Sequence, residues 1–460
     1  MENVNVTEKP LKKSIINLYG LPSLGFQLLI NMELFYLAAF LTDSIKVSVA
    51  ISGTVLMLTS IADVIWVPTS GVVLEKTNFR WGKYRSWLLI GPPITVLFYI
   101  LEFSKIGSPS TAVIIICIGF IVSHLTSNTS YAAHLSMNSA MTTVREERIA
   151  MSSNRGLFNA IGSIVFSAVS MPLILALGKN NQVMGYTLTV VIAGIALIAL
   201  YYIFFFMTKD YAHSGTSNES NKAEEKLSAG DMIRQIILNP PLIGLMLAEF
   251  GRYLGRFVIF GMAFYYFKYV VSNLAVVTIF FTGLSVVCLV GAAIASPIAK
   301  KIGERNTYIL SLLIFICCLL AVWALPMNYI SFMILMFIAY FGYAMPDALG
   351  VALYSNTVEY GEWKTGKNAR GFIMSLLAFP IKIAVFARSV IITAVLMGAG
   401  YVANMKPTAQ LIKGVTNGIT LIPAVFMVFG LIFIILLYKI TPKSLEKMQR
   451  EIKERKGDTA

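Results

Sequence analysis

The chain has 460 residues, 57% of them hydrophobic and only 13% charged, with a net charge of +14 and a mean hydropathy of +0.73. A water-soluble domain carries about 25% charged residues, so this composition excludes one and places the chain in a bilayer. In a soluble protein the basic excess would point to nucleic acid. Here the lysines and arginines fall in short loops between apolar runs, so they set membrane topology and no nucleic-acid partner is expected.

Residues 1–13 are polar and end in Lys12 and Lys13. No cleavable leader is expected, because the first apolar run is too long for a signal h-region. About twelve spans follow, near 15–41, 50–74, 86–104, 110–140, 151–178, 183–207, 236–267, 273–299, 306–325, 329–357, 371–400 and 416–439. Crossing about 30 Å of hydrocarbon takes roughly 20 helical residues, and helix is the open-chain structure that satisfies its own backbone in lipid. Pro22, Pro68, Pro346 and Pro380 inside these runs predict tilted or kinked helices.

Loops carrying Lys76, Arg80, Lys83 and Arg85, then Arg145 and Arg148, then Lys300, Lys301 and Arg305, then Lys364, Lys367 and Arg370 alternate with nearly uncharged ones. Lys12, Lys13 and the tail from Lys439 fall on the same side as the basic set, which predicts that both termini are cytoplasmic. Between residues 209 and 235 the composition turns to Ser, Asn, Glu and Lys. This reads as a flexible cytoplasmic linker, with Ser228 able to cap a short amphipathic helix before Asn239-Pro240-Pro241. The expected organisation is a six-helix half over 1–208, the linker over 209–235, a second half over 236–440 and a basic tail over 441–460. GVVLEKTNFRWGKYR after the second span and ASPIAKKIGERNTY after the eighth place a glycine and a basic cluster at the same point of each half. Repeated halves are the architecture of rocker-type transporters, with the substrate site between them.

The four cysteines, Cys117, Cys288, Cys317 and Cys318, lie in apolar runs without metal-ligand spacing and read as packing residues. No cofactor is expected, and no hydrolase triad or phosphate-cradling glycine loop is present. The informative residues are ionisable groups inside apolar runs, each costing roughly 2.5–3.5 kcal/mol on insertion scales unless it faces a partner or water. Asp63 lies in SIADVIWVP in the second span. Glu249, Arg252 and Arg256 share one face of the seventh at spacings of three and four. Glu33, Asp347, Lys382 and Arg388 are further candidates. Pairing of Glu249 with Arg252 is the bland alternative for that couple, and Arg256 has no obvious local partner.

The stretch 359–382, EYGEWKTGKNARGFIMSLLAFPIK, has Gly361 and Gly366 as helix breakers. An apolar helix follows, with Lys382 about a dozen residues in. It resembles the tenth-to-eleventh helix segment of the glycoside–pentoside–hexuronide:cation symporters, the melibiose-permease group of the major facilitator superfamily. Tyr19-Gly20-Leu21, Thr42-Asp43, FRWGKYRSWLLIG from Phe79, ERIAMSSNR from Glu147 and YYFKYV from Tyr265 are similar to further landmarks of that family. The resemblance implies an all-α membrane protein of about twelve transmembrane helices in two six-helix halves, the major facilitator fold.

It also implies roles. Asp63 matches the first of two family aspartates at a sodium site, with Val67 where the second would stand. Loss of that carboxylate favours a proton on Asp63, or sodium held through oxygens of Thr59, Asn128 and Thr129. Pairing with Lys382 is the structural alternative for Asp63. The family's acidic sugar-binding positions fall on Gln27 and on Ser130 or Tyr131, none a carboxylate. His134 could bind substrate or pack helices, and Arg155 matches a family arginine. With Arg252, Arg256 and Lys382, the missing acids favour an acidic sugar or its glycoside, because three cations sharing one cavity call for an anion. Arg80, Lys83, Arg85, Glu359, Glu362 and Lys364 resemble a cytoplasmic charge network that locks the halves.

The function expected is a secondary active transporter, a monomeric symporter in the cell membrane, carrying a sugar, glycoside or sugar acid with H+ or Na+ by alternating access. Alternatives are a lysolipid-type carrier, which needs a more apolar cavity, and a non-transporting sugar sensor, for whose output domain the linker is too small. An enzyme is not expected.

Overall fold

The computed structural model describes residues 11–455 apart from 78, 143, 180, 212–228 and 326–327. Most of the linker, with Ser217 and Ser228, and the side chains of Val67, Pro68 and Arg145 lie outside the described residues. Among the described residues all regular structure is helical.

The chain divides into two compact units, Met1–Ser220 and Asn221–Ala460. The first holds α1 (Leu21–Ala39), α2 (Val49–Lys76), α3 (Arg85–Glu102), α4 (Pro109–Met141), α5 (Arg145–Leu177) and α6 (Gln182–Met207). The second holds α7 (Pro240–Tyr265), α8 (Val276–Ile302), α9 (Glu304–Ala324), α10 (Tyr329–Thr365), α11 (Phe379–Gly398) and α12 (Leu421–Leu437). Ten segments are long and apolar enough to cross a membrane by length and composition alone. The other two long helices are α3, which begins at Arg85 and ends at Glu102, and α7, which carries Glu249, Arg252 and Arg256.

Each unit is assembled from the same helix pairs. In the first, α1 packs on α5 and α6, α4 on α2 and α3, and α3 on α6. In the second, α7 packs on α11 and α12, α10 on α8 and α9, and α9 on α12. The repeat extends to an irregular corner. Both α1 and α7 end in a π-helical turn, Phe40–Ser44 and Tyr266–Val270. A non-glycine residue with positive φ follows each turn, Lys46 at 66° and Ser272 at 59°. Residues 40 and 266, and 46 and 272, are the same 226 positions apart. Ser48, Ser108, Asn181, Asn239, Asn328 and Thr408 cap helix starts by accepting backbone N–H bonds, which replace the missing first-turn partners.

Several expectations are corrected. Gly361 is not a helix breaker, because α10 runs through it to Thr365 and ends at Gly366, whose φ of 77° suits glycine. Gly361 is needed for space: a Cβ there would lie 2.5 Å from Gln235 Oε1 and 3.1 Å from Asn239 Nδ2. The single span expected over 371–400 is present as Phe372–Gly398, with a local 3₁₀ turn at Leu376–Ala378 between Arg370–Ser375 and α11. Pro380 stands in the first turn of α11, where its missing N–H costs nothing. Lys382 lies in the first turn of α11, inside the Phe372–Gly398 span. The last span starts earlier than expected, as Ala409–Ile419, and breaks at Thr420 before α12.

The basic tail is also ordered over Pro442–Arg455 as a helix docked on α10. Trp363 Nε1 donates to Glu451 Oε2 at 2.6 Å, Arg455 donates to the Trp363 carbonyl at 2.7 Å, and Gln449 donates to Glu359 Oε2 at 2.7 Å. The Trp363 N–H, with help from Lys447, Arg455 and Arg450, holds the Glu451 carboxyl below the ordinary glutamate value of 4.5. A carboxyl depressed by folding stabilises above its unfolded value and loses that contribution as pH falls through its folded one. Acidification through the depressed Glu451 titration, below the ordinary glutamate value, should loosen this helix, seen as a fluorescence change absent from Trp363→Phe. Glu451→Gln, which keeps an acceptor but cannot ionise, should abolish the titration, and a titration unaltered in that variant refutes the assignment.

Candidate functional site

In the first unit α4 carries the centre of a buried polar cluster. His124 Nδ1 lies 3.1 Å from Asp63 Oδ1 on α2, and its Nε2 lies 3.2 Å from Glu33 Oε2 on α1. Asn128, one turn further along α4, donates to the same Asp63 Oδ1 at 2.9 Å. The Tyr99 hydroxyl on α3 is 3.4 Å from His124 Nε2, and the Phe120 ring stacks on the imidazole at 3.7 Å. Glu102, fully buried at the end of α3, interacts electrostatically with His124 and Glu33. Neither of its carboxyl oxygens has a hydrogen-bond partner.

The cation-coupling residues expected from sequence differ in their hydrogen bonds. Asp63 and Asn128 are joined. Thr59 donates to the Val55 and Leu56 carbonyls, and Thr129 to that of Leu125, so both hydroxyl protons are spent on their own helices. His124, Tyr99 and Glu102 were missed by sequence reasoning. The available signal was the i, i+4 pair of His124 and Asn128, which puts both on one face of α4.

Of the expected substrate positions in this unit, Tyr131 and Arg155 are brought together. Arg155 Nη1 donates to the Tyr131 hydroxyl at 3.1 Å, and Phe26 stacks on the Tyr131 ring at 4.4 Å. Gln27 is half-buried on α1, against Gly162, where a Cβ would come within 3.0 Å of it. Ser130 donates to the Thr126 and Trp87 carbonyls. His134 is fully buried, with Nε2 2.8 Å from the Tyr19 carbonyl, while the Tyr19 hydroxyl donates back to the His134 carbonyl.

In the second unit the charges of α7 are met by Asp347 on α10. Arg252 is 1% exposed and donates to Glu249 Oε2 at 2.6 Å and to Asp347 Oδ1 at 2.8 Å. Its guanidinium also lies over the Tyr253 and Tyr343 rings at 4.4 and 4.6 Å, and Tyr253 donates to Asp347 Oδ1 at 3.1 Å. Arg256 Nη1 is 3.6 Å from Asp347 Oδ2, a loose contact, and its Nε has no hydrogen-bond partner. Arg256 therefore has a local partner after all, and two carboxylates balance the two α7 arginines. Lys382 is half-buried at the start of α11, and Arg388, on the same helix, lies 6.0 Å over the Phe257 ring.

Each of the expected gating residues has a contact inside its own unit. Arg85 is buried, donates twice to the Phe205 carbonyl at 3.0 and 2.8 Å, and stacks on the Phe205 ring. Arg80 lies over the Trp81 ring and Lys83 over that of Tyr84. Glu359 accepts from Gln449, Glu362 accepts from Asn368 at 2.7 Å, and Lys364 lies over the Trp363 ring.

Paired helical units with ionisable residues held inside apolar helices define a multi-pass membrane carrier, not an enzyme. The chain belongs to the family described as MFS/sugar transport protein, whose model matches residues 18–442. It is 27% identical to the isoprimeverose transporter of Lactiplantibacillus pentosus, over 94% of this chain and 90% of that one. It is 26% identical to the glucuronide carrier protein homolog of Escherichia coli (strain K12), over 95% of each. The solved structure of a D-xylose-proton symporter superposes with a TM-score of 0.66 at 15% identity, covering 94% of this chain and 98% of that one, a likeness of fold.

Proposed function

We propose that the protein is a cation-coupled symporter of a sugar, glycoside or sugar acid, driven by H+ or Na+ through Asp63, with both termini in the cytoplasm. The observation that carries this reading is the pair of polar clusters, around Asp63 in one unit and around Arg252, Arg256 and Asp347 in the other. Ionisable residues kept in apolar helices mark substrate and ion pathways. The relatives named for isoprimeverose and glucuronide support a glycoside. Arg256 favours an acidic one: it keeps unspent donors beside a single loose carboxylate contact, and guanidinium binds carboxylates through paired hydrogen bonds.

Proteoliposome uptake of paired neutral glycosides and their uronates, under imposed proton or sodium gradients, tests this. Arg256→Gln should cost the uronate at least about tenfold in affinity and leave the neutral glycoside unchanged. Equal binding of both in the parent, with no effect of the variant, refutes the acidic substrate. For topology, a cysteine at Ser217 should be labelled only from the cytoplasmic side and one at Ala403 only from outside. Labelling of both from one side refutes the arrangement.

A further inference from the structure

The second unit has a pocket of about 470 Å³ where α7 begins, α10 and α12 end and the tail helix Pro442–Arg455 docks. Its volume falls within the roughly 300–1,000 Å³ of small-molecule sites. None of the residues of the two polar clusters lines it. Its walls are apolar, with Pro241 from the first turn of α7, Leu437 from the last of α12 and the buried Met448 from the tail helix. The Tyr360 and Trp363 rings of α10, 5.7 Å apart, continue them. Two lysines stand among these groups. Lys439 is exposed, and Lys447, with a side chain 67% exposed, lies 3.8 Å from Glu451. An exposed i, i+4 pair at that distance holds little. The other Glu451 oxygen accepts from Trp363 at 2.6 Å, so Lys447 can turn to an anion without undocking the tail helix.

We propose that this pocket binds an anionic phospholipid, its phosphate between Lys439 and Lys447 and its glycerol and first methylenes against the apolar wall. The inference goes beyond the carrier reading and takes from it only the cytoplasmic placement of the tail. A small soluble anion is held by donors on several sides, whereas these walls are mostly apolar. An amphiphile matches both parts. The pocket also lies at helix ends, the depth of the headgroups, where Trp and Tyr are favoured. Lysines there draw the anionic lipids of the cytoplasmic leaflet, and basic pockets between membrane helices take their headgroups. Once occupied, the site joins α7, α10, α12 and the tail helix through one ligand. The headgroup composition of the membrane then bears on how firmly the tail is held.

Trp363 reports on the pocket from within. The chain has five tryptophans, and the signal lost in Trp363→Phe isolates this one. In phosphatidylcholine bilayers, added brominated phosphatidylglycerol should quench that signal at a mole fraction at least about tenfold lower than brominated phosphatidylcholine does. Lys439→Gln and Lys447→Gln should each weaken the phosphatidylglycerol effect about fivefold, ~1 kcal/mol per lysine. Lys443→Gln, a tail lysine outside the pocket, should leave it within about twofold. Native mass spectrometry from detergent should show one phosphatidylglycerol retained by the parent and lost from the Lys439→Gln/Lys447→Gln double variant.

Equal quenching by the two lipids overturns the proposal, as does retention of phosphatidylglycerol by the double variant. Relief of quenching by millimolar glycerol 3-phosphate assigns the pocket to a soluble anion and overturns it too. Shielding of Trp363 that grows with protein density in phosphatidylcholine alone assigns it to a second copy of the chain, with the same consequence. The labelling of Ser217 and Ala403 positions decides which side the tail is on, and lipid binding decides the pocket, so either reading can fail alone.

Discussion

Arg252→Ala should cost the second unit about 3–5 kcal/mol, because it strips the counter-ion from a buried carboxylate. Arg252 gives Glu249 its charge-assisted contacts at 2.6 and 3.2 Å, and the other Glu249 oxygen has no hydrogen-bond partner. Without the guanidinium, Glu249 must be neutralised or drag water into an apolar helix interface. Asp347 also loses its closer arginine and keeps only Arg256 at 3.6 Å. Thermal unfolding in detergent should fall by on the order of 10 °C for a unit of this size. Arg252→Lys keeps the charge but not the fork that reaches Glu249 and Asp347 together, so it should fall between. Pairing Arg252→Met with Glu249→Gln should recover much of the loss, since no uncompensated charge remains. A single Arg252→Ala variant melting within about 2 °C of the parent would show that these charges are solvated and the cluster is not buried.

Asp63→Asn should abolish concentrative uptake while sparing exchange. Movement of one charge across 100 mV is worth about 2.3 kcal/mol, enough for roughly fifty-fold accumulation of a coupled substrate. Asparagine keeps an oxygen for Asn128 and His124 but loses the negative charge that makes cation binding favourable. Accumulation should fall to a ratio near one, and exchange, which needs no net cation movement, should persist. Unchanged accumulation in this variant places coupling elsewhere. Sodium-stimulated, pH-insensitive uptake by the parent would replace the proton with sodium.

The helices were legible because an apolar run of membrane length has one backbone solution, and the basic loops punctuate it. The 3₁₀ turn at Leu376–Ala378 was not, although Pro380 was visible. A proline in an apolar run can kink a helix or open one, and packing decides which. Gly361 misled in the opposite direction. Glycine signals both flexibility and space, and here Gln235 and Asn239 demand the space. At the site, Asp63 and the α7 arginines stood out as charges in apolar sequence. Asp347 was seen but not paired, because it lies 95 positions from Arg252 and only folding brings α10 to α7. His124 was hidden by its own chemistry: a histidine in an apolar run is ordinary until its two neighbours on other helices are known.

The shared corner at the end of α1 and α7 makes the two halves comparable position by position. FLTDSIKV and YFKYVVSN, residues 40–47 and 266–273, have no residue in common at any aligned place, yet they fold to one irregular shape. An inherited outline has outlived its lettering. Carried along the same offset, Asp63 corresponds to Leu289 and Arg252 to Phe26. Neither charge has a twin. The frame stands twice in the chain, while the charges set into it stand once.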